Sequence, residues 1–242
     1  MQQIELELAG GGVLTVSLRA SLDAMPAVKE RPLVLVVPGG GYDHVSPREG
    51  DPVALQFAAA GYHTAVLTYS VGEGAQNYQP LRQLNEALAL LRQNAGEWHI
   101  LPDQIAVCGF SAGGHLALSA AVLDIPGETA QQRPNAVILG YPVVTAGEFA
   151  HRGSFVQLAG SEDAAAQQTF TLEDKTVLVE NTLLLLAALR RAGVPCEAHL
   201  FEKGAHGTSI STAEVDAADP HRAHWVALCL EWLGETFGFK LS

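Results

Sequence analysis

Apolar positions follow different rhythms along the chain. From Ile4 to Leu18 they alternate with polar ones: Ile4, Leu6 and Leu8, then Leu14, Val16 and Leu18, on either side of Gly10-Gly11-Gly12. A period of two belongs to a strand with one wet face, so this stretch predicts an antiparallel hairpin. Ser21 to Pro32 reads as loop. The rhythm then disappears into continuous β-branched and apolar runs at Leu33–Val37, His63–Tyr69, Ile105–Cys108 and Ala136–Leu139. Runs apolar on both faces mark strands covered by helices on both sides. A further strand is expected at Ala198–Phe201.

Between the runs the spacing becomes helical. Pro52 to Ala60 follows Asp51. Leu81, Leu84, Leu88 and Leu91 recur from Pro80 to Asn94, and Gly113 to Leu123 is rich in alanine. Thr182 to Arg191 follows Asn181, a residue suited to an N-cap, and stops at Gly193. Asp219 to Phe237 is amphipathic. Helices alternating with buried strands after an antiparallel start predict a mostly parallel, doubly wound α/β sheet with an antiparallel N-terminal hairpin. No repeat or linker interrupts it, so residues 1–242 are expected to form a single domain.

Composition narrows the function classes. A formal net charge of −12 repels nucleic acid and anionic membrane, which removes both as expected partners. No apolar run is long enough to span a bilayer, and the start Met1-Gln2-Gln3-Ile4-Glu5 has no secretory pattern. The three cysteines, Cys108, Cys196 and Cys229, are too few and too scattered for a disulfide framework or a zinc site. Each lies in an apolar stretch, so buried thiols in a reducing, cytoplasmic setting are expected. A homo-oligomer is left open.

In such sheets, sites form at the carboxyl ends of the strands, and the chemistry-bearing residues fall there. After the Ile105 run comes Gly109-Phe110-Ser111-Ala112-Gly113-Gly114-His115, a G-x-S-x-G between strand and helix. Small residues around a serine on a sharp turn let its hydroxyl stand clear of the sheet, at a helix N-terminus with free N–H groups. Ser111 is the candidate nucleophile. The first buried run ends in Pro38-Gly39-Gly40-Gly41-Tyr42, which offers backbone donors for an oxyanion. Gly40 or Gly41, together with Ala112, are the candidate donors. Tyr42 and His44 are candidate pocket residues.

A serine hydroxyl needs a base. Among nine histidines, His206 follows the nucleophile in chain order, on a loop after the expected Ala198–Phe201 strand. The orienting acid belongs between them. Asp174 is preferred, presented by a short strand at Phe170–Leu172, with Glu173, Asp163 and Glu180 as rivals.

These residues together resemble a known family. Pro38-Gly39-Gly40-Gly41-Tyr42, Arg48-Glu49-Gly50, Ala106 to Leu116, Ile138 to Val143, His151-Arg152-Gly153-Ser154-Phe155, Val179-Glu180-Asn181 and Phe201 to Gly207 are similar to blocks of small bacterial esterases of the α/β-hydrolase fold, related to acetyl-xylan and feruloyl esterases. The resemblance implies hydrolysis of small-molecule esters, often acetyl groups on sugars, by an acyl-enzyme route without a cofactor or metal. One segment departs: the stretch from Ala159 to Lys175 is shorter than in the family, although Asp174 to Asn181 still matches its acid-bearing block. That shortening keeps a second reading open, a catalytically impaired relative with a binding role. A peptidase or amidase on the same fold is a third.

Overall fold

The structure is a computed structural model and describes residues 1–20, 27–123, 132–159, 174 and 176–241. Its centre is β3 (Arg31–Val37), in which Leu33 to Val37 are all fully buried. Leu33, Leu35 and Val37 enter one apolar core, while Val34 and Val36 enter another on the opposite face. A strand with no wet side chain needs cover on both faces, as the unbroken apolar run implied. Burying each such side chain contributes about 1.5–3 kcal/mol.

Parallel neighbours flank β3: β4 (His63–Thr68) on one side and β5 (Ile100–Phe110) on the other. Beyond β5 lies β6 (Ala136–Gly140), also parallel. Beyond β4 lies the hairpin of β1 (Gln2–Glu7) and β2 (Val13–Leu18), whose β2 runs antiparallel to β4. The order β1-β2-β4-β3-β5-β6 is the mixed sheet that the sequence pattern predicts.

Helices α1 (Asp51–Ala59), α2 (Gln79–Gln93) and α4 (Ala112–Val122) match the predicted spans within a residue or two. A short α3 (Ala95–Trp98) extends α2, and α5 covers Arg152–Ala159. Two further helices are α6 (Val179–Ala192) and α7 (Pro220–Phe237). Asp219 caps α7 by accepting hydrogen bonds from the N–H groups of His221 and Arg222.

Three expectations need correction. Helix α6 begins at Val179 with Leu178 at its N-cap, so Asn181 lies inside the first turn. Its side chain is spent elsewhere: Oδ1 accepts from Val144 N–H and Thr145 N–H, and Nδ2 donates to the Phe149 carbonyl. The strand expected at Ala198–Phe201 does not form. Among the described residues β6 is the last strand on its side, so this segment has no ladder to join, and residues 191–200 are exposed throughout. The expectation of three buried thiols holds only for Cys108: Cys196 is exposed because its segment joins no strand, and Cys229 is half-buried. The expected strand at Phe170–Leu172 lies outside the described residues, as do the rival acids Asp163 and Glu173. No helix among the described residues is long and apolar enough to cross a membrane.

Candidate active site

Strand β5 delivers Ser111 at the mouth of α4. Its backbone sits at φ 52, ψ −118, a conformation that side-chain-bearing residues avoid and that a surrounding fold must impose. Two neighbours make the turn possible. A β-carbon on Gly109 would overlap the Gly113 carbonyl, and one on Gly113 would overlap the carbonyls of Val37 and Pro38. The turn is held by Ser111 N–H donating to Gly140 O at 3.0 Å, and by Val143 N–H donating to Ser111 O at 3.1 Å.

The structure brings Ser111, His206 and Asp174 into one chain of contacts. Ser111 Oγ lies 2.8 Å from His206 Nε2, and His206 Nδ1 lies 2.8 Å from Asp174 Oδ2. A carboxylate only accepts, so Nδ1–H is the donor and Nε2 is left to accept the serine proton. Asp174 is itself fixed: Oδ1 accepts from Thr176 N–H and Val177 N–H, each at 2.9 Å. Burial alone would raise the Asp174 carboxyl. Hydrogen bonds from His206, Val177 and Thr176 outweigh it and carry the group below its ordinary range, so the acid stays ionised. The pair is largely shielded, with side-chain exposures of 16% for His206 and 21% for Asp174. Glu180, the remaining rival, lies in the first turn of α6; its Oε2 has no hydrogen-bond partner among the described residues, and His206 Nδ1 is taken by Asp174.

The glycine run after β3 folds into a tight turn. Asp43 N–H and His44 N–H both donate to Gly40 O, and Gly40 adopts φ 122, where a β-carbon would overlap the His44 carbonyl. Among the described residues no acceptor takes the N–H groups of Gly40, Gly41 or Ala112. Ala112 is the first residue of α4, where an N–H has no intrahelical partner. Free donors from two elements next to Ser111 are what a developing oxyanion requires.

Gly40, Gly41, His44, Ser111 and His206 line a cleft of about 350 Å³, together with Arg48, Glu49, His151 and Gln157. His44 therefore lines the cleft. Tyr42 does not: it is 1% exposed, and its hydroxyl shares a 2.8 Å hydrogen bond with His115 Nδ1. Tyr42 takes φ 63 directly after the glycines, and its ring lies in the core against Tyr69. Burial drives His115 down to about 4, so it is a neutral packing residue.

Several site residues escaped the sequence reading. His151 precedes α5, lines the cleft and bonds Ser154 Oγ through Nδ1 at 2.8 Å. Burial, then the nearby His206, lower its pKa against the opposing pull of Asp174. Glu49, 3% exposed, accepts from Gly39 N–H and from the Tyr141 hydroxyl. Tyr141 packs edge-on to His206, ring centroids 4.8 Å apart. Glu49, Tyr141 and His151 all stand in the blocks that carried the family resemblance. That was the signal available, but it gave them no role. The described residues hold no group of three or more His, Cys, Asp or Glu arranged to bind a metal.

Comparison with known proteins agrees with this architecture. A xylanase, endo-1,4-beta-xylanase B of Butyrivibrio fibrisolvens, is 31% identical over 218 residues, covering 76% of this chain and 34% of that protein. An acetylxylan esterase of Xylanibacter ruminicola is 28% identical over 203 residues, covering 74% of this chain and 41% of the relative. The chain thus spans between a third and a half of the length of these curated relatives. The crystal structure of the carboxylesterase Cest-2923 from Lactobacillus plantarum WCFS1 superposes with a TM-score of 0.84 at 27% identity, covering 100% of both chains. Residues 23–181 match the BD-FAE family. With that match over most of its length and this fold around Ser111, the chain belongs to the BD-FAE family of α/β-hydrolases.

Proposed function

We propose that this protein is a serine carboxylesterase that hydrolyses short acyl esters, with acetylated oligosaccharides as its substrate class. The observation that carries the reading is the unbroken chain Ser111–His206–Asp174, with both contacts at 2.8 Å, beside unused N–H groups at Gly40, Gly41 and Ala112. Ser111 Oγ attacks the ester carbonyl as His206 Nε2 takes its proton. The negative charge on the carbonyl oxygen is met by the free N–H groups, each worth about 3 kcal/mol in the transition state. His206 returns the proton to the leaving alcohol. An acyl-enzyme remains on Ser111, and water activated by the same histidine releases the acid. Asp174 keeps His206 in the tautomer that the first step needs.

The substrate class draws on the acetylxylan esterase relative and on His44, Arg48, His151 and Gln157 in the cleft lining, side chains that can hydrogen-bond a hydroxylated alcohol. A cytoplasmic location belongs to the same proposal, supported by three unpaired cysteines. The contacts of Asp174 weigh against the catalytically impaired reading. Hydrolysis of p-nitrophenyl acetate by the wild type and Ser111→Ala, followed by acetate release from acetylated xylo-oligosaccharides, tests both levels. Turnover no faster than Ser111→Ala would overturn the esterase reading; turnover without acetate release from the sugars would overturn only the substrate class.

A further inference from the structure

We propose that Glu49 is a positioning residue, whose single carboxylate ties the oxyanion loop to the loop that carries His206. The proposal rests on the serine-esterase reading above and adds to it the means by which the two halves of the site keep their register.

The His206 loop lacks an obvious support. The segment before it forms no strand, and residues 191–200 are exposed. What holds the loop is Ser209, 2% exposed, three residues after the histidine. Ser209 N–H donates to Tyr141 Oη at 2.9 Å, Ser209 Oγ–H donates to Arg48 O at 2.6 Å, and Trp225 Nε1–H donates to Ser209 O at 3.0 Å. Two of these bonds lead to the same place. Arg48 is the neighbour of Glu49, and the Tyr141 hydroxyl donates to Glu49 Oε1 at 2.6 Å. The other carboxylate oxygen, Oε2, accepts from Gly39 N–H at 2.8 Å, at the root of the glycine turn. A β-carbon placed on Gly39 would stand 2.8 Å from both Glu49 Oε2 and Ser111 Cβ, so carboxylate, oxyanion loop and nucleophile converge on one point.

The chemistry explains why a glutamate occupies this position. Two donors arrive from different elements, and a carboxylate offers two oxygens that only accept. The 2.6 Å bond falls in the range of charge-assisted O–H···O⁻ contacts. Among the described residues Glu49 forms no ion pair with a lysine or arginine. A buried acid without a cation is costly for stability, and such residues are rare away from functional sites. Tyr141 transmits the restraint twice, through its hydroxyl to Ser209 and through its ring against His206. Burial first, then Glu49, raise the Tyr141 phenol well above its ordinary value, so it remains a donor throughout the working pH range.

The test is a double-mutant cycle on p-nitrophenyl acetate with Glu49→Gln, Tyr141→Phe and the double variant, alongside wild type and Ser111→Ala. Glutamine keeps the shape but can accept from only one of the two donors through oxygen. Phenylalanine keeps the ring on His206 and removes the hydroxyl. Each single variant is expected to lower kcat about tenfold to a hundredfold, the value of one charged hydrogen bond, with KM within about twofold of wild type. The double variant is expected to be no slower than the slower single one, because both break the same link. Glu49→Asp, one methylene short of its donors, is expected not to restore the rate. Losses that multiply in the double variant, a change confined to KM, or single variants within about twofold of wild type would overturn the proposal. If Glu49→Gln does not fold, the kcat and KM of Tyr141→Phe decide alone by the same criteria. Wild type no faster than Ser111→Ala would instead sink the esterase reading, and this proposal with it.

Discussion

Replacing Asp174 by asparagine preserves the shape of the side chain and reverses one of its bonds. Oδ1 of Asp174 accepts two backbone N–H groups, from Thr176 and Val177, while Oδ2 accepts from His206. An asparagine has one oxygen, and the two backbone donors claim it. Turning the amide over would forfeit two hydrogen bonds of about 1 kcal/mol each and set an NH2 group against two N–H groups. The preference for the first orientation is therefore at least about 2 kcal/mol, or roughly thirtyfold. In that orientation the amide NH2 faces His206 Nδ1, which must become an acceptor. The proton moves to Nε2, where it blocks uptake of the Ser111 proton. Loss of the correct tautomer is worth about 10⁴ in kcat, near 5.5 kcal/mol of barrier. Asp174→Ala supplies no opposing donor and leaves His206 free to take either tautomer. It is expected to retain more activity than Asp174→Asn despite removing more atoms. The assay is kcat for p-nitrophenyl acetate with the three proteins at neutral pH. An asparagine variant faster than the alanine variant, or within about tenfold of wild type, would refute the tautomer argument.

Other consequences follow from residues outside the chemistry. Gly113→Ala favours helix formation locally, yet its methyl would overlap the carbonyls of Val37 and Pro38, so urea unfolding should show a loss of about 1–3 kcal/mol or more. His63 accepts from Arg19 N–H through Nδ1, and burial holds its pKa down to about 4. The unfolded chain takes up protons first as pH falls, so stability is full above about 6.5 and declines toward 4. His115 behaves alike. Each should cost about 2 kcal/mol between pH 7 and pH 5, a slope that the double variant His63→Gln, His115→Gln should flatten in urea titrations at both pH values. Asn181→Ala leaves Val144 N–H, Thr145 N–H and Phe149 O unpaired around a fully buried position, and should lower unfolding free energy by at least about 2 kcal/mol.

The parts of this molecule that were legible in the sequence are those fixed by local physics. Strands β3 to β6 announced themselves by their unbroken apolar runs, which are fully buried in β3 and partly buried in β6, and the glycines around Ser111 because backbone carbonyls stand where side chains would be. Long-range bonds left no such trace. Glu49 meets Tyr141 across 92 positions, and Ser209 meets Arg48 across 161. Asn181 looked like a helix cap because asparagine often is one; three partners in a distant loop outbid that role. Ala198–Phe201 has the composition of a strand, but a strand is made by its neighbour, and the described sheet has none to offer there. Tyr42 beside three glycines invited a pocket role, and the turn that the glycines permit sends it inward.

The way the His206 loop is suspended has a consequence for how stability is distributed. Gly39 follows β3, Ser111 follows β5 and Tyr141 follows β6, so the anchor points of the site all stand at the ends of hydrogen-bonded strands, two of them central, whereas residues 191–200 contribute almost nothing to the sheet. Amide exchange should accordingly be fast along that outer segment and slow through β3 and β5. Fluctuations that open residues 191–200 need not reach the reaction centre, because the bonds that hold the His206 loop run to Arg48, Tyr141 and Trp225 and none of them to the exposed segment.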